Sequence, residues 1–230
     1  MPPDIYFDQG LDGLRELAGR CRTLVVVDVL SFSTAVDVAV SAGARVLPLP
    51  WRDERAAARA REAGAALAGP RAHDRWSLSP SSLRTLPPGE LLALPSPNGA
   101  ALCAAASADH VLVGGLRNAS AVARAAVELP VGVVAAGERR GGDDGPLRPA
   151  VEDLLGAGAI IAALPGSRSA EAQVAAGAFA ASSGRVEELV RDCASGQELA
   201  DLGFPQDVRL AAQLDASGTA PVLRDGIIGA

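Results

Sequence analysis

The 230-residue chain contains no lysine, so all 21 of its basic side chains are arginine. That excludes a P-loop lysine and a Schiff-base mechanism, and leaves guanidinium groups, backbone N–H groups or a metal to build any anion site. A codon bias toward arginine is the simplest source of most of them. Aromatic residues make up only 3%, too few for a base-stacking surface or an aromatic-rich β-sandwich. The two histidines, His73 and His110, stand apart, so neither a histidine metal cluster nor a Ser-His-Asp arrangement is legible. Cys21, Cys103 and Cys193 are widely spaced with no CxxC, which argues against a zinc knuckle or a disulfide framework. No segment reaches about 18 uninterrupted apolar residues, and "MPPDIYFDQG" lacks a charged start followed by an apolar run. The expectation is a soluble, cytoplasmic protein with no membrane association. A net charge of −6 without a basic run argues against nucleic-acid binding.

Ala, Gly, Val and Leu dominate, and hydrophobic residues reach 49%, enough for a core that needs no staples. Apolar runs alternate with helix-like stretches. "TLVVVDVL" (23–30) leads to "FSTAVDVAVSAGA" (32–44), and "RVLPLPW" (45–51) to an arginine- and alanine-rich helix. "ELLALPSP" leads to "AALCAAAS", "DHVLVGG" to "ASAVARAAVEL", and "PVGVVAAG" to "PAVEDLLGAGAIIAAL". This rhythm predicts βαβ crossovers: an α/β fold with three α/β/α layers and a mostly parallel sheet. One domain over 1–230 is expected, with two lobes joined through the Pro-, Ser- and Arg-rich stretch near 70–90. The last third is expected to be helical, ending in a short strand.

In such sheets ligands bind outside the carboxyl ends of the strands. Asp28, Ser96, Asn98, Asn118 and the Glu138 to Arg148 loop all fall at such ends. Asp28 interrupts an apolar run, where a carboxylate needs a partner, a catalytic task or a place at the strand end. A second acid two residues on, as an aspartyl-nucleophile phosphatase requires, is replaced by Leu30. Glu152 and Asp153 follow Pro149, where carboxylates favour a helix start by about 0.3–1 kcal/mol. They point about 100° apart, so one of them is also expected to face a site or a neighbouring element, and hard oxygen donors of this kind suit Mg²⁺. Asn98-Gly99 in "SPNGAAL" fits a tight turn better than a helix start that offers its N–H groups to an oxyanion. The glycine fingerprint of dinucleotide binding is absent.

Taken in order, "VVVDVLSFSTAV", "SLSP", "SPNGAAL", "LRNASAVA", "AAGE…LRPAVEDLLGAGAI", "LGFPQDVRLAAQLD" and "APVLRDGII" resemble the 2-phosphosulfolactate phosphatase family from about residue 4 onward. The resemblance implies an α/β/α fold and Mg²⁺-dependent hydrolysis of (R)-2-phospho-3-sulfolactate to sulfolactate and phosphate, a step toward coenzyme M. It implies that Asp28, Glu152 and Asp153 are catalytic and bind the metal. It also implies that Asn98, Gly99 and Asn118 belong to the substrate site, and Ser33, Ser79 and Arg148 are expected to contact the substrate beside them. Ser31 stands where family members usually carry arginine, "SLSP" (77–80) replaces "GNSP", and Pro97 departs from "TTNGT". Arg71, Arg117, Arg139 and Arg148 are the loop arginines available to replace the missing guanidinium. Arg148 is the first choice, because it lies just ahead of the helix that carries Glu152. The expected partner is a small phosphorylated acid, and the expected assembly a homo-oligomer. The alternative is a non-catalytic small-anion-binding or regulatory protein on the same fold.

Overall fold

The computed structural model describes residues 1–71, 73–140 and 145–230. Its elements run β1 (Ile5–Gln9), α1 (Gly10–Ala18), β2 (Thr23–Val27), α2 (Phe32–Ser41), β3 (Arg45–Leu49), α3 (Glu54–Glu62) and β4 (Ala66–Leu67). After a 3₁₀ turn at Pro80–Thr85 come β5 (Leu91–Pro95), α4 (Gly99–Ala105), β6 (His110–Gly114), α5 (Ala119–Ala125) and β7 (Val131–Ala135). The ribbon β8 (Glu138–Arg139) and β9 (Leu147–Arg148) precedes α6 (Val151–Ala163), α7 (Ala170–Ala181), α8 (Val186–Asp192), α9 (Ala194–Asp201) and α10 (Pro205–Ala211). A hairpin of β10 (Val222–Arg224) and β11 (Ile227–Gly229) closes the chain.

Among the described residues nine strands form one sheet in the order β1-β7-β2-β6-β10-β11-β3-β5-β4. The ladders joining β1, β7, β2 and β6 are parallel, as are those joining β3, β5 and β4. The final hairpin is wedged between these groups through antiparallel pairs. The expected mostly parallel α/β architecture is present, with helices on both faces. In β2, Val25 and Val27 point into a core shared with Ile160 of α6 and Val122 of α5. Leu24 and Val26 point to the other face, against Leu14, Phe32, Val36 and Leu102. Both faces are dry, which is why the strand is a continuous apolar run; each such side chain contributes about 1.5–3 kcal/mol on burial.

The predicted boundaries shift at the site. Strand β2 ends at Val27, because the next residues satisfy one another locally. The Ser33 hydroxyl accepts a bond from the Asp28 N–H at 2.8 Å, the Asp28 carbonyl accepts from the Ser33 N–H at 2.7 Å, and the Thr34 hydroxyl donates to the Val29 carbonyl at 2.8 Å. The expected single last strand is instead two strands inside the sheet. In a flat sheet β2 and β5 would lie five strand spacings apart, about 24 Å. Their carboxyl ends are nevertheless hydrogen-bonded, Gly99 N–H to Asp28 Oδ2 at 2.7 Å, so the sheet curls and brings its two halves together at that point.

Candidate active site

Asp28 sits at the join. Its side chain is only 5% exposed. Oδ1 accepts a bond from Phe32 N–H at 3.2 Å, and Oδ2 accepts from Gly99 N–H at 2.7 Å and from the Ser96 hydroxyl at 3.5 Å. Asn98-Gly99 is therefore not a free tight turn: Asn98 stands at the N-cap position of α4 without a side-chain capping bond, and the first helical N–H binds a carboxylate of the protein itself. Gly99 is required by contact, since a Cβ there would lie 2.7 Å from Asp28 Oδ2 and closer still to Phe32 Cδ1.

The Asp28 carboxyl faces a cleft of about 410 Å³. Its lining includes the polar and acidic residues Ser96, Asn98 and Glu138 and the arginines Arg52, Arg71 and Arg139. Glu138 Oε1 accepts from Asn98 Nδ2 at 2.9 Å and from Arg139 N–H at 2.7 Å, and Arg139 Nη1 donates to the Gly145 carbonyl at 2.9 Å. Burial pushes the Asp28 carboxyl up to about 6, and the negative charges of Glu138 and Glu152 push in the same direction. Two carboxylates from the ends of β2 and β7 thus repel each other across a space lined by arginine. Such a space suits a cation and an anion bound together.

Glu152 and Asp153 lie behind the cleft, 2% and 3% exposed. Asp153 caps nothing in its own helix. Oδ1 accepts from Val29 N–H at 2.7 Å and Oδ2 from Gly137 N–H at 2.9 Å, so one carboxylate ties the loop after β2 to the end of β7. Helix α6 comes close enough because Gly156 leaves out a side chain: a Cβ there would lie 2.7 Å from Val29 Cγ2. Burial, with the charges of Glu152 and Asp28, raises the Asp153 carboxyl well above its ordinary range. Glu152 Oε2 is buried without a partner among the described residues. The Cys193 thiol, pushed up to about 12 by burial and then by the charge of Glu152, lies beside it. Among the described residues no three His, Cys, Asp or Glu side chains are grouped to hold a metal, so Asp28, Glu152 and Asp153 do not form one three-carboxylate cage.

The remaining sequence-predicted residues separate. Asn98 lines the cleft and Ser33 braces the Asp28 loop. Arg148 Nη2 donates to the Ser195 hydroxyl at 3.0 Å and stands 3.9 Å from Glu198, so it orders the α9 rim rather than replacing the guanidinium missing at Ser31. Arg117 is committed to Asp37 at 2.8 Å. Ser79 belongs to a hydroxyl network with Ser77 and Ser81. Asn118 bonds Gly115 N–H, the Val113 carbonyl and the Thr219 carbonyl, and lies away from the cleft. Residues 141–144 of the glycine-rich loop lie outside the described residues. The sequence placed Glu138 at a strand end only as the first residue of the Glu138 to Arg148 loop and gave it no role, and it did not point to Ser195; for Glu138 the available signal was an acid just past an apolar strand, the pattern already noted at Asp28.

A family model described as 2-phosphosulpholactate phosphatase matches residues 14–226. The chain belongs to the 2-phosphosulpholactate phosphatase family. A similar protein is the 2-phosphosulfolactate phosphatase of Methanothermobacter thermautotrophicus, 33% identical over 219 residues, which cover 93% of this chain and 90% of the relative. Proteins named probable 2-phosphosulfolactate phosphatase are similar too. That of Carboxydothermus hydrogenoformans is 31% identical, covering 87% of this chain and 85% of its own. That of Symbiobacterium thermophilum is 31% identical, covering 92% and 94%. The chain is thus a phosphatase-family enzyme, and the family match takes in Asp28, Asn98, Glu138, Glu152 and Asp153. No helix among the described residues is long and apolar enough to cross a membrane.

Proposed function

We propose that the cleft hydrolyses the phosphate monoester of a small acid, with 2-phosphosulfolactate as the first substrate to test and Mg²⁺ as cofactor. The observation that carries this reading is that Asp28, Glu138, Arg71 and Arg139 line one cleft. Mg²⁺ is commonly held by one or two carboxylates, waters and substrate oxygens, and Asp28 and Glu138 fit that requirement without a third ligand. When bound, the ion would neutralise charge on the transferring phosphoryl group.

The chain's own residues do the rest by position and charge. Gly99 N–H and Phe32 N–H fix both oxygens of Asp28, so its aim into the cleft does not depend on a flexible side chain. Glu138 is held by the Asn98 side-chain amide and by the Arg139 backbone N–H. Asp153 locks the two strand ends that carry them, and Glu152 behind adds negative charge that favours a cation. Arg71 and Arg139 supply fixed positive charge for oxyanions. A cytoplasmic homo-oligomer acting on the route to coenzyme M completes the proposal.

The test is phosphate release from 2-phosphosulfolactate and a panel of small phosphorylated acids, with Mg²⁺ and with chelator. Metal-dependent release from at least one compound is expected. Silence across the panel from folded protein would overturn the reading in favour of a non-catalytic anion-binding protein.

A further inference from the structure

Among the arginines that line the cleft is Arg71, whose guanidinium is largely buried. Arg71 Nη2 donates to the Ser31 hydroxyl at 2.8 Å and to the Leu78 carbonyl at 3.0 Å, and both partners are neutral. Its Nε–H is buried without a partner among the described residues. The guanidinium lies over the Phe204 ring, 5.7 Å from the centroid. A buried N–H left unpaired costs free energy unless something else accepts its bond. Burial disfavours the charge on this group, and Asp207, Asp28 and Glu138 are the carboxylates whose fields offset that. Asp207 is itself fully buried, with Oδ1 accepting from Ser81 N–H at 3.1 Å and Oδ2 without a partner among the described residues. The turn that carries Phe204 and Asp207 therefore backs a cation it does not neutralise by direct contact.

Arg71 and Leu78 also line a second cavity of about 410 Å³, whose other walls include Ala56, Leu67 and Pro95. Arg71 thus stands where the polar cleft meets a more apolar space. We infer that Arg71, held by Ser31 and Leu78 and stacked on Phe204, forms a second anion subsite. It binds the sulfonate or carboxylate that the substrate carries in addition to its phosphate. The inference rests on the proposed phosphatase reading for the phosphate end alone. Ser31 has a defined part in it: a small hydroxyl at this position leaves room for a guanidinium delivered from the loop after β4. Asp207 is a positioning residue, acting through Arg71.

Calorimetry with 3-sulfolactate, isethionate, lactate and inorganic phosphate, on wild type, Arg71→Ala and Arg71→Lys, tests the subsite without requiring turnover. Loss of a charge-assisted hydrogen-bonding group of this kind typically weakens binding about 10- to 100-fold. Arg71→Ala is expected to weaken 3-sulfolactate by at least about tenfold more than inorganic phosphate. Loss concentrated on isethionate identifies the sulfonate as the recognised group, and loss concentrated on lactate the carboxylate. Arg71→Lys, which keeps the charge but not the planar fork, is expected to lie between the two and decides the matter if the alanine variant does not fold. In turnover, the kcat/KM loss on 2-phosphosulfolactate should exceed that on isopropyl phosphate at least tenfold and fall mainly on KM. No binding of 3-sulfolactate to the wild type, or equal losses on ligands with and without the second anion, overturns the subsite. Absent phosphate release with Arg71-dependent sulfolactate binding would instead overturn the phosphatase reading and leave the subsite standing.

Discussion

Replacing Asp28 by asparagine should remove activity and, at neutral pH, relieve the fold of a buried charge. The carboxyl has an ordinary value of 3.8 and is pushed up to about 6, chiefly by burial and then by Glu138. A tenfold change in proton affinity is about 1.4 kcal/mol, so the difference is worth about 3 kcal/mol. Because the folded value is the higher one, the group's contribution to stability is complete below about pH 4 and is lost as pH rises through about 6. Asparagine stays neutral throughout. It retains one acceptor for the two N–H groups of Phe32 and Gly99, a pH-independent loss of about 1 kcal/mol. Thermal unfolding of both proteins in chelator, at pH 4 and pH 7.5, isolates the effect. The melting temperature of Asp28→Asn relative to wild type should rise between these pH values by about 6–12 °C, taking 2–4 °C per kcal/mol for a chain of this size. An unchanged difference, or a larger deficit at pH 7.5, would refute the reasoning, because it would mean that the folded site stabilises the charge.

Further outcomes follow from the same contacts. Asp153→Ala leaves the Val29 and Gly137 N–H groups unpaired and should lower stability by about 2–4 kcal/mol in denaturant titration; a loss under about 1 kcal/mol would deny the cross-link its role. Gly99→Ala drives a methyl group into Asp28 Oδ2 and Phe32, and should cost about 1–3 kcal/mol and about 100-fold in turnover, read by unfolding and steady-state assays. Glu138→Gln removes the largest neighbouring charge that raises Asp28, so the Asp28 titration followed by carboxyl NMR should move to lower pH; no movement would place Glu138 outside its influence. Mg²⁺ at about 100 times its dissociation constant should add about 2.7 kcal/mol to wild-type stability at pH 7.5 and far less to Asp28→Asn.

The sheet was legible where burial on both faces makes strands uniformly apolar, as in β2, β6 and β7. Strand β1 was not, because "IYFDQ" is short and mixes Asp8 and Gln9 into its pattern. The last hairpin did carry a signal: Asp225-Gly226 takes φ of 51° and 77°, the left-handed pair that a tight hairpin requires, between two apolar runs. Its insertion in the middle of the sheet depends on long-range pairing that no local pattern encodes. At the site, Asp28 stood out because a carboxylate in an apolar run demands a partner. Which partner was hidden, since Gly99 and Asp28 meet only once the sheet curls. The same limit applies to the arginines: Arg148 is the obvious choice by chain proximity to Glu152, whereas contact across 40 residues places Arg71 against Ser31.

The most direct measurement is the turnover number for phosphate release from 2-phosphosulfolactate at saturating Mg²⁺, for wild type and Asp28→Asn, with folding of both confirmed by melting. Hydrolysis centred on Asp28 predicts measurable wild-type turnover and a loss on the order of 10³-fold or more in the variant, the scale expected when a charge-stabilising group is removed. A variant that turns over within about tenfold of wild type would contradict it, and would move the chemistry away from the Asp28 and Glu138 cleft.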